Sequence, residues 1–171
     1  MYKSLKEEYI IFLDFDGVLN NASCEPEDNF LPEAITVLNK LHEEYQAKIV
    51  ISSSWRTCYT MKQLMDLLKE HGCLCEVIDK TPEYIGKYEE KSTFLLSELE
   101  YEKSLKEEEG RNGEIISYVR IHNIKHYVIL DDFYFVNKTL QPHCVLTDFF
   151  DEENGGLREH HLPQIREIFK L

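Results

Sequence analysis

The chain of 171 residues is 43% hydrophobic and 30% charged, a composition that suits a folded protein with a sizeable core. With 32 acidic against 19 basic residues, its formal net charge of -13 disfavours nonspecific binding to nucleic acid or anionic membranes, although it is compatible with a small basic pocket. The segment before Glu7 has no long apolar region, and no apolar run reaches the ~20 residues that a membrane-spanning helix needs. These features predict a cytoplasmic protein without a signal peptide or membrane segment.

The cysteines and histidines do not predict a metal site. The five cysteines are odd in number and scattered, and Cys73-Leu-Cys75 lacks the two-residue gap of a zinc knuckle. The seven histidines form no ligand pattern. Reduced thiols, most of them buried as core residues, are the interpretation that fits this distribution.

Strand-like and helix-like segments alternate along the chain. The first, Tyr9–Leu13, is a short apolar run of the kind that is buried on both faces of a sheet. Pro32 opens a helix in which Ile35, Leu38 and Leu41 are spaced three apart. Alternation of this kind, with few hairpin signals, predicts an α/β fold around a parallel sheet. The further strands are predicted at Lys48–Ile51, Cys75–Ile78, Tyr127–Leu130 and Cys144–Thr147, and the further helices at Met61–His71, Glu114–His122 and Leu162–Phe169.

One segment, Glu83–Gly110, departs from this alternation. It is rich in Glu, Lys and Tyr, and the spacing of Leu95, Leu96, Leu99 and Leu105 predicts a helix with one weakly apolar side. We interpret the segment as a charged, solvated insertion at one edge of a single domain that spans residues 1–171. The sequence contains no internal repeat and no low-complexity linker.

Two carboxylates follow the first predicted strand, in the stretch YIIFLDFDGVLN. Removing an unpaired carboxylate from water costs several kcal/mol, roughly, even after the protein relaxes. Asp14 and Asp16 come at the end of an apolar run, so either a cation compensates them or the strand ends at the surface and water solvates both. From this stretch alone the two interpretations are equally good.

Polar residues also follow the other predicted strands. In parallel sheets, ligands bind where the carboxyl ends of the strands open outward, so these residues are expected to converge at one edge of the sheet. A basic residue, Arg111, precedes the helix predicted from Glu114. The joint placement of carboxylates, hydroxyls and a cation predicts a functional site. Its candidate residues are Asp14 and Asp16, then Ser52, Ser53, Ser54, Trp55 and Arg56, then Arg111, and finally Asp131 and Asp132.

The order of these motifs resembles the haloacid dehalogenase-like (HAD) superfamily of phosphohydrolases. The motifs are DFDGVL, a strand followed by two serines, a basic residue, and LDD, and they span Tyr9–Thr147. The stretches IVISSSWR, RNGEI and VILDD resemble most a compact branch of the superfamily that includes phosphatase domains of RNA-repair proteins. The resemblance implies a Rossmann-like three-layer sandwich with a mostly parallel central sheet and a minimal cap domain or none. It also implies a Mg²⁺-dependent phosphatase that works through an aspartyl-phosphate intermediate.

The resemblance also implies roles for the acidic residues. Asp14 matches the nucleophile that takes up the phosphoryl group, and Asp16 matches the acid and base that protonates the leaving oxygen and later activates water. Gly17 supplies the backbone freedom for the turn that carries Asp16. The expected Mg²⁺ ligands are the side chains of Asp14 and Asp132 with the backbone carbonyl of Asp16.

Three further groups complete the implied site. Ser52, assisted by Ser53, matches the hydroxyl that binds the phosphoryl group, whereas Ser54 could simply cap the next helix. Arg111 best matches the basic residue that holds the phosphate, with Lys106 as a second candidate. Asp131 is expected to orient Arg111 or a metal-bound water. Arg56 is expected either to contact substrate or to form a surface salt bridge.

Two other classes of protein use similar residues. A phospho-accepting receiver domain has an acidic pair, but that pair ends its first strand, whereas Asp131 and Asp132 end a late one. A binding protein on an inactive phosphatase scaffold is disfavoured because every catalytic position is filled. Turnover of an aryl phosphate with Mg²⁺ separates an enzyme from both.

The short connections between motifs bear on the substrate. Asn20–Leu31 is too short for a folded cap, and an uncovered site favours a phosphorylated macromolecule over a small metabolite. Phe133, Tyr134 and Phe135 offer stacking surface for an aromatic ring or a base. The net charge of -13 favours a phosphoprotein, phosphotyrosine first, over a nucleic-acid end or a nucleotide.

Overall fold

A central sheet of five parallel strands organises the part of the chain that the computed structural model describes, residues 8–83 and 110–171. The strands lie in the order β3-β2-β1-β4-β5, so the first strand is central and the chain crosses over on both sides of it. Their bounds are β1 Tyr9–Leu13, β2 Lys48–Ile51, β3 Glu76–Lys80, β4 His126–Asp131 and β5 Cys144–Leu146.

Helices precede β2, β3 and β4, as crossovers between parallel strands require, whereas β4 and β5 are joined by a segment with a short 3₁₀ helix. Among the described residues the helices are α1 Pro32–Tyr45, α2 Met61–Glu70, α3 Gly110–His122 and α4 Leu162–Ile168. Helix α1 carries Pro32 in its first turn, where a missing amide hydrogen costs nothing. Helix α2 begins with a capping box in which Thr60 and Gln63 satisfy each other's backbone amides. In the described part of the chain, three short 3₁₀ helices occupy Ser54–Thr57, Gln141–His143 and Glu159–His161.

Alternate residues of the strands supply two separate hydrophobic cores. Ile11 and Leu13 of β1 face the core formed with α1, α2 and α4, whereas Ile10 and Phe12 face the core formed with α3. Because helices cover both faces, the central strands β1, β2 and β4 are largely apolar, and the architecture is the expected three-layer α/β sandwich of Rossmann type. Among the described helices none is long and apolar enough to cross a membrane.

The strands and helices predicted within the described residues are confirmed in type and order, and all but one of their bounds are exact or differ by one or two residues. The largest difference is at α3, which begins at Gly110 and not at Glu114, so that Arg111 lies in its first turn. Gly110 and Gly113 are poor helix formers, which hid this turn from the sequence pattern. The predicted insertion at 83–110 lies almost wholly outside the described residues, as does Lys106.

The carboxyl ends of the three central strands are locked together by backbone hydrogen bonds that continue past the regular pairing. The amide of Asp14 donates to the carbonyl of Leu130, and the amide of Ser52 donates to the carbonyl of Leu13, both at 3.0 Å. Beyond β4, the amide of Thr147 donates to the carbonyl of Asp131 at 3.0 Å. These bonds therefore hold side by side, at the carboxyl end of the sheet, the residues that follow β1 and β2 and the residues that end β4.

Candidate active site

Three carboxylates converge at the ends of β1 and β4. Asp14 follows β1, Asp131 is the last residue of β4, and Asp132 comes next; one oxygen from each lies within 4.8 Å of the others. Asp14 and Asp131 are buried and Asp132 is exposed. Pairing of β1 with β4 places Leu13 opposite Leu130, and this register brings the three acids together. The expected convergence of both acidic motifs is therefore present.

Arg111, from the first turn of α3, bridges two of these acids. Its Nη1 donates to Asp14 Oδ2 at 2.6 Å and to both carboxylate oxygens of Asp131 at 2.8 Å. Asp131 Oδ1 also accepts from the backbone amide of Phe133 at 2.9 Å, and Asp14 Oδ1 accepts from the amide of Phe15 at 2.8 Å. Arg111 thus lies beside the expected nucleophile and also contacts Asp131, and it is one of the two groups that Asp131 was expected to orient.

One guanidinium does not neutralise three carboxylates, and the pKa values show the excess of negative charge. Burial and the charge of Asp14 raise the pKa of Asp131 to about 7, against the opposing effect of Arg111. The same two causes raise the pKa of Asp132. Burial alone would lower the pKa of Arg111, but Asp131 and Asp14 outweigh it and raise that pKa. A set of carboxylate oxygens with uncompensated charge suits a hard divalent cation, so the residues fit Mg²⁺.

A tight turn brings Asp132 against the segment after β1. Gly17 has φ +75, and a Cβ there would lie 2.5 Å from Asp132 Oδ2. A side chain at this position would therefore be strained in the backbone and would also collide with the carboxylate. The expected need for glycine agrees with this geometry, and the close approach of Asp132 is a second reason for it.

Asp16 lies outside the carboxylate cluster and is held by two uncharged donors. Trp55 Nε1 donates to Asp16 Oδ2 at 2.8 Å, and Asn20 Nδ2 donates to Asp16 Oδ1 at 2.9 Å. Asn20 also accepts from the amide of Gly17 at 2.9 Å and donates to the carbonyl of Glu27 at 2.9 Å. The sequence analysis placed Trp55 among the candidate residues without giving it a role, and it did not consider Asn20. A signal was present, since each stands within four residues of an expected site residue.

The serines after β2 have three different environments. Ser52 is fully buried, and its Oγ has no hydrogen-bond partner among the described residues. Ser53 Oγ accepts from the amide of Trp55 at 3.3 Å and so caps the 3₁₀ helix, the role that the sequence had left open for Ser54. Ser54 is exposed. Ser52 follows the strand next to the one that Asp14 follows, and a bound phosphoryl oxygen is a partner that its hydroxyl lacks.

Arg56 does not lie where a substrate contact or a surface salt bridge would place it. Its side chain is 5% exposed, and Nη2 pairs with Glu114 of α3 at 2.5 Å. The remaining donors reach the carbonyls of Ser52 at 2.9 Å, Ser53 at 2.7 Å and Thr81 at 3.0 Å. We therefore correct both expectations: Arg56 joins the loop after β2 to helix α3, which carries Arg111, and the ion pair is buried.

Exposed aromatic rings and an acidic groove flank the site. Phe133 and Tyr134 are 49% and 67% exposed, but Phe135 is 2% exposed and belongs to the core, so it offers no stacking surface. Trp55, which contacts Asp16, also lines a groove of about 740 Å³. No lysine or arginine occurs among the described residues that line it, and five of them are acidic. The lining residues are Glu25, Pro26, Glu27, Asp28, Trp55, Tyr59, Gln63, Leu64, Asp66, Leu67 and Glu70.

Comparison with known proteins agrees with this geometry. A family model described as "HAD domain in Swiss Army Knife RNA repair proteins" matches residues 10–161. The match covers most of the chain, so the protein belongs to this family of HAD-like domains, which makes it a phosphatase-type hydrolase. No curated protein matches the chain significantly, and neither does any solved structure.

The buried pair of Arg56 and Glu114 gives a stability prediction. Arg56→Met removes the guanidinium from Glu114 and from three backbone carbonyls, and we expect it to lower the free energy of unfolding by about 3 kcal/mol or more. Urea denaturation followed by circular dichroism measures this. As a control, Arg166→Met removes an arginine paired with Glu44 at the surface and should leave the midpoint near that of the wild type. Equal midpoints for the two variants would contradict the structural role of Arg56.

Proposed function

We propose that the protein is a Mg²⁺-dependent phosphoric monoester hydrolase that acts through an aspartyl-phosphate on Asp14. The observation that carries the proposal is the surroundings of Asp14. Its carboxylate lies 2.6 Å from Arg111 and forms a cluster with two further acids. Ser52, whose buried hydroxyl has no partner among the described residues, follows the neighbouring strand β2. Membership of a phosphatase-type family supports it. Phosphoryl transfer needs these groups, because catalysis depends on positioning and on charge around the transferred oxygens.

The proposed reaction has two steps. In the first, a carboxylate oxygen of Asp14 bonds to phosphorus while the bond from phosphorus to the leaving oxygen breaks, and Asp16 gives that oxygen a proton. In the second, water attacks phosphorus, Asp16 takes up a proton from it, and the carboxylate of Asp14 is released with inorganic phosphate. Arg111 and the Ser52 hydroxyl, assisted by the loop at Ser53, hold the phosphoryl oxygens throughout.

We assign the metal site to Asp14, Asp132 and the backbone carbonyl of Asp16. Asp131 contributes the third carboxylate of the cluster and lies against Arg111, so we assign it a supporting role. When bound, Mg²⁺ supplies positive charge that lets the anionic phosphate approach the carboxylate of Asp14. That charge would also oppose the burial and the charge of Asp14, which together raise the pKa values of Asp131 and Asp132.

We further propose that the substrate is a phosphorylated macromolecule, with phosphotyrosine protein first. The exposed rings of Phe133 and Tyr134 follow directly on Asp132 and provide surface for an aromatic leaving group. The groove beyond Trp55 presents five carboxylates, and the whole chain carries a net charge of -13. Both features repel a polyanionic backbone and favour a substrate with few other negative charges.

A second candidate is a nucleic-acid end phosphatase. The matching family model is described by its occurrence in RNA repair proteins, and this description favours RNA ends. The same exposed rings could stack on a terminal base. This candidate shares the site and the chemistry of the first one and differs only in what surrounds the phosphate.

The metal proposal predicts a specific defect in Asp132→Asn. Wild-type turnover of 4-nitrophenyl phosphate should require Mg²⁺ and stop in excess chelator. The variant loses a charged oxygen ligand, so it should need at least ~10-fold more Mg²⁺ to reach half of its maximal rate. Asp148→Asn, whose side chain caps a turn beyond β5, serves as the control and should keep the wild-type requirement. Full activity of metal-stripped protein in chelator would refute the metal site.

The substrate proposal predicts a ranking of kcat/KM at fixed ionic strength. A phosphotyrosine peptide with basic flanking residues should exceed a short RNA with a terminal phosphate by ~10-fold or more, a difference of ~1.4 kcal/mol in transition-state stabilisation. Phosphate release measures both reactions. A higher kcat/KM on RNA would overturn the phosphoprotein proposal in favour of the second candidate while leaving the phosphatase chemistry intact.

A matched pair of charge reversals refines this comparison. Glu70→Lys reverses a charge that lines the groove. Glu43→Lys reverses a charge on the exposed side of α1, near Tyr45. Because Tyr45 packs on Tyr9 at the start of β1, this position lies at the end of the strands opposite to the site. Glu70→Lys should lower the preference for the basic peptide, and Glu43→Lys should not. Equal effects of the two variants would show that only net charge acts and that the groove does not contact substrate.

A further inference from the structure

The structure assigns Trp55 and Asn20 a positioning role: we infer that they form a two-donor clamp that holds the carboxyl group of Asp16 toward the leaving oxygen. The inference rests on the proposed function, in which Asp16 is the acid and base. It starts from the contacts of Trp55 Nε1 at 2.8 Å and Asn20 Nδ2 at 2.9 Å, one to each oxygen of Asp16. With both oxygens engaged, rotation of the carboxyl group is restricted.

The clamp is itself held rigidly. Asn20 is 1% exposed and joins three segments, because it also binds the amide of Gly17 and the carbonyl of Glu27. The indole of Trp55 packs against Phe15 at 5.5 Å and Phe30 at 6.1 Å between ring centroids, so its N–H direction is fixed by the hydrophobic core. A donor that cannot turn away orients its acceptor at little entropic cost.

The chemical character of the clamp differs from that of the groups around Asp14. Asp14 is bound by a guanidinium, which is itself charged, whereas the two donors to Asp16 are uncharged. Uncharged N–H groups can orient a carboxyl group in either protonation state, since a protonated acid keeps acceptor capacity on both oxygens. A group that gives up a proton and later takes one needs orientation of this kind.

A leaving-group comparison separates positioning of the acid from general damage. The two esters 4-nitrophenyl phosphate and 4-nitrobenzyl phosphate have similar size, but only the benzylic alkoxide needs full protonation to leave. Because general acid catalysis supplies ~10²–10⁴-fold, we expect Trp55→Phe to lower kcat/KM for the benzyl ester by at least ~10-fold and for the phenyl ester by less than ~3-fold. As the control, Val119→Ala loosens the packing of α3 in the other hydrophobic core, away from the indole, and should change both esters by one common factor.

An independent measurement does not need turnover. The chain contains a single tryptophan, so its indole N–H gives one unambiguous cross-peak in ¹⁵N–¹H correlation spectra. Asp16→Ala removes the acceptor, and exchange of the indole hydrogen with solvent should become about tenfold faster, as expected for loss of a hydrogen bond to a charged group. Asp132→Ala, on the other side of the turn at Gly17, should leave this exchange within about twofold of the wild type.

The outcomes are distinct. A selective loss on the benzyl ester, together with faster indole exchange in Asp16→Ala, supports the clamp. Equal losses on the two esters in Trp55→Phe, or unchanged indole exchange in Asp16→Ala, would overturn it while wild-type turnover still supports the phosphatase. Absence of wild-type turnover on both esters would overturn the proposed function and the inference with it.

Discussion

The crowding of three carboxylates around one guanidinium at the ends of β1 and β4 is the constraint on which the rest of the site depends. Asp14, Asp131 and Asp132 are brought within 4.8 Å by strand register, and Arg111 alone among the described residues donates a charged group to this cluster. Such crowding is unfavourable without compensation, and burial together with the charge of Asp14 raises the pKa of Asp131. The fold tolerates it because a cation can bind there, and this is our explanation for acids at the end of a buried apolar strand.

Placing Arg111 at the cluster requires a precise position for α3. That helix packs its apolar side on Phe12, Val50 and Ile129 of the sheet, through residues such as Ile115 and Ile116. Glu114, three residues after Arg111, pairs with the buried Arg56 from the loop after β2. The loop that carries Ser52 and the helix that carries Arg111 are thus fixed to each other. A buried ion pair therefore connects two of the groups proposed to hold the phosphate.

Two aspartates only two residues apart are held in contrasting surroundings. Asp14 is buried and binds a guanidinium, whereas Asp16 is partly exposed and binds an indole and an amide. Neighbouring carboxyl groups with different surroundings are typical of sites that divide the roles of nucleophile and acid. The turn at Gly17 makes this division possible, because it carries Asp16 away from the cluster while admitting Asp132 to it.

Much of this arrangement could be predicted from the sequence, because short apolar runs such as Tyr9–Leu13 and the acids that follow them are local signals. Contacts between distant segments left no such signal. Arg56 is buried because it pairs with Glu114 of α3. The sequence around Arg56 does not reveal this distant partner, and a basic residue after three serines suggests a surface position. Phe135 belongs to the core for the same reason. The start of α3 was missed because glycines mask its first turn.

The central claim is that the carboxylate of Asp14 becomes covalently phosphorylated, and trapping that intermediate tests it most directly. Protein mixed with Mg²⁺ and excess 4-nitrophenyl phosphate for milliseconds, then quenched in acid, preserves an acyl phosphate for peptide mass spectrometry. The account predicts a phosphoryl group on the peptide containing Asp14, together with a matching burst of nitrophenol, and neither in Asp14→Asn. A phosphoryl group on a different residue, or steady turnover by Asp14→Asn at the wild-type rate, would contradict it.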